Sequence, residues 1–401
     1  MEHDWARWGQ LAERYRVPGP RRILALDGGG IRGLITLETL ARLEALLAER
    51  YGAGADFRLC QYFDYIGGTS TGALIAACLA RGMSVSEIQT FYVKFAREVF
   101  QRRPLYERWQ SLYRDGPLAQ LLRGTFGEST TLEPSHLRTL LLVVTRNATT
   151  DSIWPISSNP SARYNDPSHR KCNLRLPLWR LLRASTAAPG YFVAEVIQLD
   201  PTDPGSAFVF VDGGTTACNN PAFLIARMAM EPAYRLGWER GEQRLLVVSI
   251  GTGAPPVLGD EAGAGTNALT SLRETFKGLF TQAAFDQDLS CRTIGRCSAG
   301  PRLDREVGDL IPRDAQDQAI PLTRDLGRAF LYVRYDEPLS FAGLSSLELE
   351  AEIDATRISQ LDSVEGMDDL GRVGRALAKR VQLAHLSLFA DPELAPIQRA
   401  P

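Results

Sequence analysis

The sequence predicts an α/β fold with a mostly parallel central sheet, helices on both faces and a serine at a sharp strand-to-helix turn. Three stretches predict it, each an apolar run that ends in glycines. Arg22–Leu26 leads into Asp27-Gly28-Gly29-Gly30-Ile31-Arg32-Gly33 and then a helical pattern over Leu34–Tyr51. Tyr62–Ile66 leads through Gly68-Thr69-Ser70-Thr71-Gly72 into the small-residue helix Ala73–Ala80. Ala207–Val211 ends in Asp212-Gly213-Gly214, at the strand end where such sheets place functional groups. Strands are also expected at Leu140–Thr145, Leu245–Ile250 and Phe330–Tyr335.

Composition narrows the function. A chain of 401 residues that is 44% hydrophobic holds a large core in one domain or two. With 45 Lys and Arg against 47 Asp and Glu, the net charge of −2 argues against DNA or RNA as a partner. The charged N-terminus has no signal-like apolar stretch and no window suits a membrane span, so the expected location is cytoplasmic. Six scattered cysteines without C-x-x-C or Cys/His spacing fit reduced core thiols better than disulfides or zinc.

In chain order, residues 4–16 place Trp5, Trp8, Leu11, Ala12 and Tyr15 on one helical face, for docking on the body, a partner subunit or a membrane, before Pro18-Gly19-Pro20 breaks it. The glycine loop has competing readings. Gly28, Gly30 and Gly33 satisfy the dinucleotide pattern, with Glu49 and Asp56 spaced for a ribose contact. The same glycines let backbone N–H groups converge on developing negative charge, with Arg32 adding or positioning positive charge, or they form a plain turn. The nearby elbow favours the oxyanion reading, because acyl transfer needs both a nucleophile and an oxyanion site. In the elbow, glycines on both sides permit the tight turn and Ser70 is the nucleophile, facing a helix N-terminus.

Ser84–Arg103 reads as an amphipathic helix, 104–136 as mixed and loop-rich, and Ser157–Asn173 as an exposed loop, and the basic residues near the loops, Arg163, Arg170, Lys171 and Arg175, suit a phosphodiester or solvent. Leu178–Pro189 is a helix whose small end, Ala184–Ala188, admits another backbone. Asp212 is either a turn aspartate or the general base for Ser70. None of His3, His136, His169 and His385 suits a Ser/His/Asp triad, so a serine with an aspartate fits better. Ala254–Thr266 is rich in small residues. A helical pattern through Leu269, Leu272, Phe276, Leu279, Phe280 and Phe285 follows it, as core or lid, and a closing helix spans Met367–Phe389.

With these pieces in place the chain resembles the patatin-like phospholipases, serine acylhydrolases with a three-layer fold. The resemblance rests on Asp27–Gly33, Gly68–Gly72, Ala184–Pro189 and Asp212–Gly214 in family order, and it is strong over about residues 20 to 255. It implies a Ser70–Asp212 catalytic dyad and an oxyanion hole from Gly28, Gly29, Gly30 and Arg32 with Thr71. It also implies a membrane phospholipid substrate and no metal or other cofactor. The expected organisation is an N-terminal amphipathic segment (1–20), a catalytic core (21–255) and a C-terminal extension (256–401) as cap or regulatory layer. The layout also looks like patatin-family effectors of bacterial anti-phage systems. That would bring a cyclic di- or trinucleotide activator from a partner nucleotidyltransferase, action at the inner face of the membrane, and a homo-oligomer. Alternatives are a constitutive lipid acyl hydrolase, a non-catalytic scaffold of the same fold and a nucleotide-binding oxidoreductase.

Overall fold

The computed structural model describes residues 4–100, 111–253, 268–350 and 353–393. Among them nine strands form one sheet: β1 (Arg21–Leu26), β2 (Tyr65–Thr69), β3 (Leu140–Asn147), β4 (Ser152–Ser157), β5 (Glu195–Gln198), β6 (Ala207–Asp212), β7 (Leu245–Ile250), β8 (Arg296–Ala299) and β9 (Leu331–Tyr335). The order is β5-β6-β3-β2-β1-β7-β9-β8, with β4 on β3. The run from β3 to β8 is parallel, and β4, β5 and β6 are antiparallel additions.

Alternation along the central strands splits the core into two layers. Leu24 and Leu26 of β1 face the helices Gly33–Arg50, Thr71–Ala80, Val85–Val99 and Met367–Ala378. Ile23 and Ala25 face the helix Ala222–Met230 and the N-terminal aromatics Trp8 and Tyr15. The fold is therefore a three-layer α/β arrangement. Thr71–Ala80 is buried along its whole length, which its Ala, Gly and Cys side chains allow. Gly374 lets Met367–Ala378 close on Gly33–Arg50, since a Cβ there would lie 2.8 Å from that of Glu38.

β3 brings the functional strand ends together. Leu142, Val143 and Val144 pair with β2 on one edge and β4 on the other. Beyond Val144, β2 has ended at Thr69 and β6 takes over the same edge, with Asp212 opposite Thr145. Two strands running in opposite directions thus end head to head, Ser70 following one and Asp212 closing the other.

Several boundaries differ from the sequence reading. β2 starts at Tyr65 because Leu59–Tyr62 forms a helical turn capped by Arg58 and Gln61. Within 104–136, taken as loop-rich, Asp115–Phe126 is a helix that buries Leu118, Leu122 and Phe126 at helical spacing. The N-terminal segment is not one continuous helix, because Gly9 kinks it at φ 49°. The closing helix stops at Ala378, and Leu383–Ala390 is a separate kinked 3₁₀ segment. The stretch 254–267, residues 101–103 and the side chains of Leu269, Leu272, Phe276, Leu279 and Phe280 lie outside the described residues. All six cysteines are free and buried. Among the described residues no helix is long and apolar enough to cross a membrane.

A buried charge cluster ties β9 to the first glycine turn. Arg334 on β9 grips Asp27 with two hydrogen bonds of 2.8 and 2.6 Å, and also reaches Asp336 at 2.6 Å and Ser249 at 2.7 Å. Burial pulls the guanidinium down, but the carboxylates of Asp27 and Asp336 outweigh it and hold Arg334 above its ordinary value. Arg334→Met would leave these buried carboxylates without a counter-charge. We expect a loss of about 3–5 kcal/mol in urea unfolding, whereas a merely ornamental pair would cost less than about 1 kcal/mol.

Candidate active site

The elbow is built from close backbone approaches that side chains would block. A Cβ on Gly68 would lie 2.2 Å from the Gly72 carbonyl, and one on Gly72 would lie 2.3 Å from the Leu26 oxygen. Between them Ser70 sits at φ 54°, ψ −124°, a region that costs a non-glycine residue about 1–3 kcal/mol. The surroundings hold it there. The Ser70 N–H donates to Ser185 Oγ at 2.9 Å, Ser185 donates on to the Val144 carbonyl at 2.8 Å, and the Ser70 carbonyl accepts from Ala73 and Leu74.

Ser70 Oγ donates to Asp212 Oδ2 at 2.6 Å. The other oxygen, Oδ1, accepts from the Gly214 N–H at 2.7 Å, and the Asp212 N–H donates to the Ala187 carbonyl at 3.0 Å. Burial raises the Asp212 pKa to about 7, against the lowering effect of its bonds to Ser70 and Gly214. Its carboxyl can therefore take up or release a proton near neutral pH. The small end of the helix Leu178–Ser185 admits both strand ends: Ser185 supports the elbow and Ala187 supports Asp212.

The glycine loop is held by its carbonyls. Gly28 O accepts from Thr252 Oγ1 at 3.1 Å and Asn219 Nδ2 at 3.3 Å, Gly29 O from Arg32 Nε at 3.2 Å, and Gly30 O from the Tyr92 hydroxyl at 2.6 Å. In a trans peptide the following N–H points the opposite way, so the Gly29 and Gly30 amides turn away from these anchors. Gly29 and Gly30 line a cavity with Ser70, Thr71 and Asp212. The Gly29 N–H meets Thr71 Oγ1 at a long 3.3 Å, while the first-turn N–H of Thr71 has no acceptor within its helix. Gly28 is placed differently: its N–H donates to the Asn219 carbonyl at 3.1 Å. Arg32 is buried beneath the loop, where burial lowers its pKa to about 10, and its Nη1 donates to the Gly253 carbonyl at 2.6 Å. Its charge is spent on loop carbonyls.

The cavity is narrow, about 40 Å³, with walls of Phe95, Phe100, Leu118, Tyr191, Phe192 and Leu361. It has room for a few waters but not for an acyl chain. Leu361 comes from the C-terminal part of the chain. Its carbonyl accepts from the Ile31 N–H at 2.9 Å, and the neighbouring Asp362 accepts from the Tyr113 hydroxyl on the aromatic wall. Asn219 and Leu361 went unnoticed in the sequence, and Ser185, Tyr92 and Arg334 lay in a motif, a helix and a strand that were read without giving these side chains a role, because no local pattern marks a distant hydrogen-bond partner. Among the described residues no histidine lines the cavity. Glu49 and Asp56 lie at the far end of Gly33–Arg50, a helix about 27 Å long, out of reach of a ligand at the glycine loop. Among the basic loop residues, Lys171 pairs with Asp203 at 2.8 Å, Arg170 donates to Thr202 and Arg175 to the Pro167 carbonyl.

A family model described as patatin-like phospholipase matches residues 24–226, just over half of the chain. A cGAMP-activated phospholipase of Vibrio cholerae is 33% identical over 215 residues, 51% of this chain and 56% of that one. A protein of the same name in Escherichia coli is 31% identical over 214 residues, 52% and 56% of the two chains. Patatin-17 of Solanum cardiophyllum is 29% identical over 245 residues, 58% and 60%. The chain therefore spans little more than half the length of these relatives.

Ser185 offers a test of how the elbow is held. Ser185→Ala leaves the Ser70 N–H and the Val144 carbonyl buried without partners. It should lower stability by about 1–3 kcal/mol in urea denaturation. An unchanged midpoint would show that the elbow does not depend on this hydroxyl.

Proposed function

Because the chain belongs to the patatin-like phospholipase family, we propose that it is a serine acylhydrolase that cleaves membrane glycerophospholipids through Ser70 and Asp212. The observation that carries this reading is the 2.6 Å hydrogen bond from Ser70 Oγ to the buried Asp212 carboxylate, at a strained turn that opens on an apolar cavity.

In this mechanism Asp212 takes the Ser70 proton as Oγ attacks the ester carbonyl carbon. The oxyanion is held by the amides of Gly29, Gly30 and Thr71. Gly28 and Arg32 position the loop, since Gly28's amide and Arg32's guanidinium are already committed to carbonyls. Collapse passes the proton from Asp212 to the leaving lysophospholipid alcohol and leaves an acyl-Ser70 ester. Water deprotonated by Asp212 attacks this ester and releases the fatty acid. A base without a histidine must bring its own pKa near neutrality, and burial does so for Asp212.

The proposal includes control by a cyclic nucleotide. Two bacterial relatives are named cGAMP-activated phospholipases, and a cavity of about 40 Å³ must widen before an acyl chain reaches Ser70. On this reading the enzyme rests closed in the cytoplasm. A cyclic oligonucleotide from a partner nucleotidyltransferase opens it at the inner membrane face, as an effector against phage. A constitutive acyl hydrolase is the second reading, favoured by the fully assembled Ser70–Asp212 pair.

Fatty-acid release from phospholipid vesicles tests this, with and without a panel of cyclic di- and trinucleotides. Ser70→Ala should lower the rate by about four orders of magnitude or more while circular dichroism stays unchanged, and retained turnover would refute the assignment. Release by wild type only with a nucleotide supports control, whereas equal release without one leaves the constitutive enzyme.

The pH profile supplies a second check. A carboxyl raised to about 7 is neutral below that pH and a competent base above it. Accordingly kcat/KM should fall about tenfold per pH unit below about 7 and level off above it. A profile flat from pH 5 to pH 8 would exclude Asp212 as the base.

A further inference from the structure

A second cavity, about 200 Å³, lies at the opposite end of the parallel strands from Ser70, beside Arg21 at the start of β1. Its walls are the N-terminal aromatics Trp5, Trp8 and Tyr15 and the loop residue Trp238. Ring centroids are 5.4 Å apart for Trp5 and Trp8 and 5.1 Å for Trp8 and Tyr15, and Tyr15 and Trp238 are nearly parallel at 9° and 6.4 Å. Docking of the N-terminal segment accounts for part of this cluster. Trp8 is buried and bonded to Ser161, and the Tyr15 hydroxyl is bonded to the Asp64 carbonyl and Thr139. It does not account for the cavity, or for Trp5 and Trp238 standing only half-buried on its rim.

The charges around it select what fits. The Arg16 guanidinium lies 5.7 Å over Trp5, and Arg21 lies 5.5 Å over Tyr15 and 5.8 Å over Trp238. A cation already lies over one face of each of these rings, so a quaternary ammonium headgroup would meet like charge nearby, and an apolar chain would strip water from Arg16 without return. A planar aromatic ligand carrying an anion satisfies both wall types. Arg21 is committed, donating to the carbonyls of Arg14, Tyr15 and Val17. Arg16 is exposed, with no described carboxylate in salt-bridge contact. Glu239, the acid on the rim, is paired with Arg244 at 3.3 Å.

We propose that this cavity is a nucleotide-binding site, with one nucleobase against the indoles of Trp5 and Trp238 and a phosphate at Arg16. Its size suits one base rather than a whole dinucleotide, so the rest of a larger ligand stays outside. As a nucleotide site it goes beyond the reading above; only its use as the place for a gating ligand rests on that reading.

The test is direct binding to the full-length Ser70→Ala protein, which cannot turn over lipid. Tryptophan fluorescence and calorimetry are followed during titration with AMP, GMP and a cyclic dinucleotide, against phosphocholine and inorganic phosphate. Saturable quenching is expected with the nucleotides only. Arg16→Glu should weaken it by about tenfold or more, and Trp238→Ala by ~5- to 100-fold. Trp238 also packs on Tyr65, so if that variant fails to fold, the exposed Arg16→Glu still decides the matter. No saturable response to any nucleotide, an equal response to phosphocholine, or a response untouched by Arg16→Glu would each overturn the site. Nucleotide-independent lipid hydrolysis by wild type would count against gating and leave the binding result standing.

Discussion

Everything at the Ser70 end of this sheet depends on how closely the turn at Ser70 approaches the end of β1. Gly72 presses on the carbonyl of Leu26, and Gly68 presses on Gly72 itself. That contact sets the separation between the elbow and the glycine loop that continues from Leu26, and so the distance between Ser70 and the amides of Gly29 and Gly30. A methyl group at either glycine would push nucleophile and loop apart. The unfavourable φ at Ser70 is held by the surrounding core, with Ser185 satisfying the Ser70 amide.

Two buried aspartates at strand ends differ in what surrounds them. Asp27 follows β1 against the guanidinium of Arg334, whose two hydrogen bonds fix its position, while burial raises its pKa to about 7 against the lowering effect of that cation. Asp212 closes β6 with only a hydroxyl and an amide for company, and burial moves it to about 7. The paired carboxylate is architecture. What sets Asp212 apart is that no cation holds it and its Oδ2 accepts from the Ser70 hydroxyl, the contact that the proposed mechanism uses. The glycine loop is tied by its carbonyls to Asn219, Thr252, Arg32 and Tyr92 and by the Gly28 amide to Asn219, while the Gly29 amide has only a long 3.3 Å contact to Thr71 Oγ1.

The cavity wall is drawn from separate parts of the chain. Phe95 and Leu118 come from two helices, Tyr191 and Phe192 from the turn before β5, and Leu361 from the C-terminal region that also supplies β8 and β9. Because the C-terminal region contributes both the Arg334 anchor and the Leu361 wall, any displacement of it would reach the glycine loop through two independent contacts, Arg334 to Asp27 and Leu361 to Ile31.

By itself the sequence determined the α/β class, the central strands and the residues of the elbow, because alternating burial and glycine-bounded turns are local constraints written in adjacent positions. Ser70, Asp212 and the glycine loop were legible for that reason. Tertiary structure alone decided that β6 ends head to head with β2, which turns Asp212 from one aspartate-glycine turn among several into the partner of Ser70. It also decided that Gly28 gives its amide to Asn219, that Arg32 serves carbonyls, and that Ser185, Arg334 and Leu361 belong to the site. Most of those contacts join residues more than a hundred positions apart, and no local pattern records which distant segment will supply a hydrogen bond.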